Sequence, residues 1–283
     1  MDREGQTVTL RDGRSLGYAD YGDPAGAPVF FFHGTPGSRL GGRVLGDAAS
    51  RRHVRLIAVD RPGFGLSDFQ KRRRILDWPD YVAQLAGTLG IGRFGVAGLS
   101  GGGPHVAACA LKLRDRLTVA MIISGATPPE ARSAGHGWAR RMLTRIGTLI
   151  LGPIVRVSMA HAAFWASKVG PALMPRWIDR RVTASRQNRE ALRLEVVEGF
   201  RRGSGGASYD FVMLVKPWGF RLDDIAMPVH LWHGEADRVV PARYARAMMP
   251  LFADPRVRWF PGEGHLLIME HAEEIIAVLA AGR

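Results

Sequence analysis

Cysteine is nearly missing from this 283-residue chain, which contains a single one, Cys109. One cysteine cannot form an internal disulfide, and it offers no cysteine spacing of the kind that binds a metal. Because Cys109 lies in an apolar stretch, we expect it to be an inert core residue. No residue pattern indicates a metal ion, a nucleotide or a redox group, so we expect the protein to need no cofactor.

Long hydrophobic runs are also lacking. The longest, residues 146–155, is far shorter than the roughly 20 apolar residues that a membrane-spanning helix requires. Residues 1–6 are mostly polar, and no apolar segment of a secretory signal follows them. We therefore expect a cytoplasmic protein without stable membrane insertion. The oligomeric state is left open.

Acidic residues are scarce beside basic ones, 26 against 39, and the net charge is +13. The excess is concentrated in residues 132–202, with a further short basic run at 71–74. No nucleic-acid recognition motif, stacking pattern or basic tail accompanies them, so we expect no nucleic-acid partner. Two interpretations of the basic residues stay open. They form a solvated basic face, or they attract an anionic substrate or an acidic membrane surface. Arginine supplies most of the charge, since the only lysines are Lys71, Lys112, Lys168 and Lys216.

What the chain does contain is a Gly-x-Ser-x-Gly motif at residues 98–102, centred on Ser100. An apolar, strand-like run precedes it, and a helix-like run follows at residues 104–111. This context is typical of a nucleophile elbow, a sharp turn that lifts a serine hydroxyl clear of a sheet. Side chains near such a turn would collide, which explains Gly98 and Gly102.

An acid and a histidine follow downstream, each just after a predicted strand. Asp237 comes after the apolar run 228–234, and His265 comes after the run 257–260. Open α/β sheets collect their active sites at the carboxyl ends of the strands. The chain order of serine, acid and histidine is the one that accompanies a Gly-x-Ser-x-Gly elbow.

Apolar runs alternate with helix-like stretches through the first part of the chain. Runs 28–32, 55–59 and 117–124 are continuous, as buried parallel strands are. Stretches 39–52 and 78–89 predict helices between them. The alternation predicts an α/β fold with a doubly wound sheet.

The strand pattern stops between residues 127 and 222 and then resumes. We therefore predict a core in two parts, residues 1–126 and 223–283, with a helical insertion at 127–222. Large apolar residues of the insertion should pack onto the core or line a pocket: Trp138, Met142, Ile146, Leu149, Ile150, Met159, Phe164, Trp165, Leu173, Met174, Trp177, Met213, Trp218 and Phe220.

Five motifs along the chain carry a family resemblance: HGTPGS at residues 33–38, DRPGFGLSD at 60–68, GLSGG at 98–102, HGEAD at 233–237 and GEGH at 262–265. In these motifs and their order the chain resembles the α/β-hydrolase fold family, in its capped branch. The resemblance implies a mostly parallel sheet of about eight strands, with the insertion as a helical cap over the active site. The cap would set substrate choice.

The resemblance implies a catalytic triad of Ser100, Asp237 and His265. His265 would take the Ser100 proton, and Asp237 would hold the imidazole in the right tautomer. The backbone N–H groups of Gly101 and Thr35 would form the oxyanion hole, since Pro36 has no N–H.

Other acids and histidines offer alternatives to these assignments. Glu235 or Asp254 are alternatives to Asp237 as the acid, and His271 is an alternative to His265. His271 falls in a stretch that predicts a helix, residues 268–275, and so favours a surface role. His33 and His233 each follow a strand and precede a glycine, so structural or pocket-lining roles are expected.

A serine nucleophile narrows the reaction that the resemblance implies. Family members that open epoxides or remove halide from haloalkanes attack with aspartate, and Ser100 stands at that position. We expect a carboxylesterase-type enzyme acting on a small-molecule hydrophobic or anionic acyl substrate. A carbon–carbon bond hydrolase, an acyltransferase and a triad-bearing ligand receptor with little turnover are the alternatives. The basic insertion counts against an iminopeptidase, which holds an ammonium group with acids.

Overall fold

Eight strands form one sheet in the structure, a computed structural model that describes residues 3–132, 154, 157, 158, 160, 161 and 179–282. The strands are β1 (Gln6–Thr9), β2 (Ser15–Gly22), β3 (Ala27–Phe32), β4 (Val54–Val59), β5 (Phe94–Leu99), β6 (Leu117–Ile123), β7 (Val229–Gly234) and β8 (Pro255–Phe260). They lie in the order β1-β2-β4-β3-β5-β6-β7-β8. β2 pairs antiparallel with both β1 and β4, and every other pairing is parallel.

Helices cover both faces of this sheet. The described helices are α1 (Arg43–Arg51), α2 (Trp78–Thr88), α3 (Gly103–Lys112), α4 (Pro129–Arg132), α5 (Arg186–Gly199), α6 (Gly205–Leu214), α7 (Ala242–Met248) and α8 (Ala272–Ala281). One apolar cluster joins the sheet to α2, α3 and α7, and the other joins it to α1 and α8. The predicted α/β fold with a mostly parallel, doubly wound sheet of about eight strands is confirmed.

The central strands are apolar throughout because both of their faces are covered. In β3, Phe30 and Phe32 pack into the first cluster, whereas Val29 and Phe31 pack into the second. All six residues of β5 are buried. Cys109 of α3 is buried in the first cluster, and burial raises the pKa of its thiol well above the ordinary range, as an inert core residue requires.

The parallel strands bring four loops to one edge of the sheet. β3, β5, β7 and β8 all run in the same direction, so the loops that follow them meet at their carboxyl ends. These loops contain four of the five motifs that sequence analysis singled out, and the fifth, at residues 60–68, follows β4, which is parallel to β3. The fold therefore places the candidate residues on neighbouring segments that are far apart in the chain.

Between β6 and β7 the described residues, 127–132 and 179–222, contain helices α4, α5 and α6 and no strand. The proposed domain boundaries stay predictions. Met213, Trp218 and Phe220 lie in the described part, and all three pack on the first apolar cluster. The remaining candidates of the insertion lie outside the described residues: Trp138, Met142, Ile146, Leu149, Ile150, Met159, Phe164, Trp165, Leu173, Met174 and Trp177.

The last helix starts later in the chain than the sequence predicts. The predicted helix over residues 268–275 is divided: Leu267–Met269 is a single 3-10 turn, and α8 begins only at Ala272, with His271 as its N-cap residue. The division lets the His271 ring contact Glu274 in the first turn of α8.

Among the helices formed by described residues, none has the length and hydrophobicity to cross a bilayer.

Candidate active site

Ser100 follows β5 directly and has a φ of +52°, in the left-handed region that non-glycine residues seldom adopt. The neighbouring glycines make this turn possible. A Cβ at Gly98 would lie 2.7 Å from the Gly102 carbonyl oxygen, and a Cβ at Gly102 would lie 2.2 Å from the Phe32 carbonyl oxygen. The backbone therefore packs too closely here for any side chain, in agreement with the steric reading of the motif.

The loops after β7 and β8 bring Asp237 and His265 into contact. His265 Nδ1 lies 2.8 Å from Asp237 Oδ2, and both side chains are buried. The carboxylate can only accept, so the ring proton sits on Nδ1 and Nε2 is left as the acceptor of the neutral ring. Asp237 Oδ1 accepts hydrogen bonds from the backbone N–H groups of Val239 (2.8 Å) and Val240 (2.9 Å). These bonds fix the carboxylate toward the histidine.

The alternative acids lie in surface ion pairs. Glu235 contacts Arg246, and Asp254 contacts Arg256 at 3.0 Å, with both acids more than a third exposed. His271 contacts Glu263 and Glu274.

His233 is buried beside Asp237. Its Nε2 lies 2.9 Å from the Val240 carbonyl oxygen and 3.4 Å from Asp237 Oδ2. Burial lowers the pKa of His233, so the ring is neutral and its Nε2 proton is donated to these oxygens. His233 therefore supports the loop that contains Asp237 and Val240.

Thr35 lies against the serine turn. A Cβ on Gly101 would lie only 2.3 Å from Thr35 Oγ1, and a Cβ on Gly34 would lie 3.7 Å from the Ser100 Cβ. The loop after β3 is thus in van der Waals contact with the turn before α3. Thr35 of this loop lies next to Ser100 and Gly101.

A buried charge network, whose acid Asp210 was missed by sequence reasoning, holds the Thr35 loop. The Arg61 guanidinium donates to the carbonyl oxygens of His33 and Gly34, to Thr35 Oγ1 at 2.7 Å, and to Asp210 Oδ2 at 2.8 Å. Arg61 and Asp210 are fully buried. The network thereby ties the loop after β3 to helix α6, which lies in the chain between β6 and β7.

Asp210 stays ionised in this environment. Burial alone would raise the pKa of its carboxyl group, but the charges of Arg61 and Arg73, which also contacts it, hold that pKa well below its ordinary value. The sequence signal was a lone acid within the otherwise mostly apolar residues 206–215. Such an acid, buried on a helix, needs a cationic partner.

Two further buried histidines support the same loops as neutral rings. His33 Nδ1 lies 2.7 Å from the Gly34 carbonyl oxygen, and its Nε2 accepts the Arg61 backbone N–H at 3.1 Å. His105 Nδ1 lies 3.0 Å from the Gly101 carbonyl oxygen. Burial lowers the pKa of His33 well below its ordinary value and that of His105 to about 3.

Glu195 of α5 reaches the loop after β3 from the other side. Its carboxylate occupies the space where Gly37 and Gly41 lack a Cβ, since a Cβ there would lie 2.6 and 2.5 Å from Glu195 Oε1. Burial raises the pKa of Glu195 to about 7, although the backbone N–H of Ser38 and the charge of Arg61 oppose the rise.

Ser100 and Thr35 open onto a cavity of about 190 Å³. Its other walls are mainly apolar and come from α6, the loop after Asp237 and the start of α7, with Phe211, Leu214, Val239 and Tyr244 among them. No arginine or lysine among the described residues lines it. The described residues also contain no cluster of three or more histidine, cysteine or acidic side chains placed to bind a metal.

Comparisons with known proteins agree with this architecture. Residues 27–272 match a family model described as alpha/beta hydrolase fold. A curated relative, a non-heme haloperoxidase from Rhodococcus erythropolis, is 24% identical over 294 residues, covering 96% of this chain and 97% of that protein. The chain is also similar to two solved structures, at identities that show the fold alone. An esterase from Exiguobacterium antarcticum has 18% identity and a TM-score of 0.74, covering 98% of both chains. An enol-lactonase from Burkholderia xenovorans LB400 has 20% identity and a TM-score of 0.68, covering 98% of this chain and 99% of that one.

Proposed function

The chain belongs to the alpha/beta hydrolase fold family, and on that premise we propose that it is a serine hydrolase which cleaves a carboxylic ester or related acyl bond. One observation carries the proposal. Ser100, in a strained turn, lines an apolar cavity at the sheet edge where the buried Asp237–His265 pair also lies.

Ser100 would act as the nucleophile. His265 Nε2 accepts the hydroxyl proton while Oγ forms a bond to the acyl carbon, and the resulting imidazolium is stabilised by Asp237. The same proton then goes to the leaving alcohol as the carbon–oxygen bond breaks, which leaves an acyl-enzyme. Water attacks the acyl carbon by the reverse sequence, and the product is a carboxylic acid.

The oxyanion of each tetrahedral intermediate would be held by the backbone N–H groups of Gly101 and Thr35. Arg61 supports this role because it binds the Gly34 carbonyl oxygen and the Thr35 hydroxyl, and so fixes the loop before the reaction begins. Preorganised donors of this kind are each worth about a hundred- to a thousandfold in rate.

Residues 127–222 would form the cap that shapes the substrate pocket. The support is that α6 already contributes Phe211 and Leu214 to the cavity wall. A cavity of about 190 Å³ is smaller than the roughly 300–1,000 Å³ of pockets for drug-sized ligands, so a short acyl chain fits it best.

The test is hydrolysis of p-nitrophenyl esters from acetyl to decanoyl by wild type, Ser100→Ala and a control, Ser50→Ala, on the exposed side of α1. We expect turnover that is highest for short chains and falls at least about a thousandfold in Ser100→Ala, with Ser50→Ala unchanged. Full activity in Ser100→Ala would overturn the proposal. If wild type hydrolysed none of the esters while a fluorophosphonate still labelled Ser100, a receptor role would be favoured over the proposed hydrolase activity.

The curated relative named as a non-heme haloperoxidase favours a second candidate activity at the same site. If hydrogen peroxide replaced water as the acceptor, the acyl-enzyme would release a peracid, which oxidises bromide. Bromination of a dye in the presence of acetate and peroxide measures this. It should be lost in Ser100→Ala, since it depends on the same nucleophile.

The carbon–carbon hydrolase alternative gains no support from the cavity, because none of the described residues that line it is an arginine or a lysine.

A further inference from the structure

A second cavity, of about 320 Å³, lies on the opposite side of helix α6 from Ser100. Phe211, Leu214 and Val215 face the first cavity, whereas Tyr209, Val212, Met213 and Lys216 face the second. These two sets follow the spacing of three and four residues that defines separate faces of one helix. The second cavity is therefore a separate compartment that shares a wall with the first.

The anchor of the second cavity is Arg73, which is 4% exposed. One of its terminal nitrogens, Nη2, donates to Asp210. Its Nε and Nη1 have no hydrogen-bond partner in the part of the chain that the structure describes. Its guanidinium plane packs on the Tyr209 ring, with Cζ 4.8 Å from the ring centroid.

A third buried donor borders the same cavity. The Trp218 indole Nε1 is buried and unpartnered among the described residues. Buried N–H groups without an acceptor are costly, so several around one cavity indicate that an acceptor belongs there.

The charge balance favours a monoanion. Arg74 at the rim is paired with Asp77 at 2.9 Å, and Arg73 shares Asp210 with Arg61. Lys216 at the rim has no ion-pair partner within residues 3–132 and 179–282, and none of the described residues that line the cavity is acidic. The remaining wall is apolar and aromatic, so it suits a ligand with a flat, apolar body.

We infer that this second cavity binds a small amphipathic carboxylate, an aromatic or short-chain organic acid whose anionic end meets Arg73, Trp218 and Lys216. The apolar body packs between Leu76 and the Val212 face of α6. This site is separate from the acyl pocket, and the inference does not depend on whether Ser100 is a nucleophile.

Calorimetric titration with benzoate, at constant ionic strength, tests the site. Wild type should bind benzoate at least tenfold more tightly than benzyl alcohol, its neutral counterpart of similar shape, and more tightly than inorganic phosphate. Lys216→Met should weaken benzoate binding about three- to fivefold, the size expected for an exposed charge pair. The matched control Lys112→Met, an exposed lysine at the end of α3, should bind like wild type.

Two bulky variants identify the compartment. Val212→Trp places an indole in the second cavity and should reduce benzoate affinity at least tenfold, whereas Val239→Trp obstructs the Ser100 cavity and should leave it unchanged. Loss of binding in Val239→Trp alone would overturn the inference, as would wild-type affinity in Lys216→Met. If benzyl alcohol bound as tightly as benzoate, the cavity would not be an anion site. If phosphate bound as tightly as benzoate, the preferred ligand would not be an organic acid. Lys216 is exposed, so its variant remains informative if Val212→Trp fails to fold.

Discussion

The carboxyl group of Glu195 has a pKa close to physiological pH in the folded protein. Its pKa is raised from 4.5 to about 7 by burial against the loop after β3. In the unfolded chain the group loses its proton near the ordinary value, while the folded protein keeps it. The unfolded state therefore binds fewer protons between these two values, and rising pH favours unfolding there.

We therefore expect the contribution of Glu195 to the free energy of unfolding to fall as pH rises from about 4.5 to about 7, by up to about 1.4 kcal/mol per pH unit, and to level off above. Three buried neutral histidines contribute in the opposite direction: His33, His105 and His233. The difference between the urea midpoints of wild type and Glu195→Gln, measured from pH 5 to pH 8, gives the slope due to Glu195. Glu195→Gln should lack the contribution, whereas Glu190→Gln, on the same helix and paired with Arg193 at the surface, should keep it. Parallel curves for wild type and Glu195→Gln would show that the burial of this group has no energetic effect.

At the residue scale, prediction from sequence reaches the backbone geometry of a turn after a strand, but it does not reach a contact with a distant partner. The motif around Ser100 is local, so the steric need for its glycines is readable from the chain itself. The partner of Arg61 stands 149 positions away, at Asp210, and nothing near either residue specifies the other. Only folding brings them together.

At the element scale, the turn from β5 into α3 depends on glycine. Gly102→Ala would bring a methyl group within 2.2 Å of the Phe32 carbonyl oxygen, a backbone atom that cannot move without displacing β3. We expect a loss of about 1–3 kcal/mol in stability, as for other overpacked sites, together with loss of esterase activity.

Gly87→Ala in α2 is the matched control, because a Cβ there meets no atom within 4 Å. It should stabilise the protein by about 0.5–1 kcal/mol through helix propensity and leave activity intact. Chemical denaturation and ester hydrolysis of the two variants measure both effects. A Gly102→Ala protein as stable and active as wild type would refute the steric account of the turn.

Elements were more predictable than their contacts. The predicted strands 28–32 and 55–59 match β3 and β4 to within one residue at either end, since continuous apolar runs bounded by polar residues leave little choice. The predicted start of the helix over 268–275 was wrong. His271 is the N-cap residue of α8, and its ring contacts Glu263 and Glu274, which the local hydrophobic periodicity does not reveal. Helix ends depend on such side-chain contacts.

At the scale of the whole molecule, three acids of the segment between β6 and β7 bind residues outside that segment. Asp179 accepts the backbone N–H of Leu266, next to His265, at 3.2 Å, and Glu198 pairs with Arg39 at 2.7 Å. Asp210 completes the set. Much of the positive charge of the described part faces solvent, with exposed Arg180, Arg181, Arg186, Arg201 and Arg202.

These buried contacts predict that the segment and the core unfold together. Asp210→Asn leaves Arg61 and Arg73 without their carboxylate and should cost about 3–5 kcal/mol. Urea transitions followed by far-ultraviolet circular dichroism and by tryptophan fluorescence should shift equally and stay coincident. Asp223→Asn, at an exposed pair with Arg221, should leave both midpoints in place. Separate midpoints for the two signals would show that the segment unfolds by itself.

The location of Asp210 has a consequence for anyone who recombines such proteins. Its carboxylate belongs to the segment between β6 and β7, whereas its guanidinium partners at Arg61 and Arg73 belong to the preceding core. A chimera that receives this segment from a homologue would keep two buried cations, Arg61 and Arg73, without a carboxylate unless the donor supplies an acid at the same helical position. Exchange of this segment between homologues is thus limited by one side chain that crosses the junction as well as by where the segment is cut.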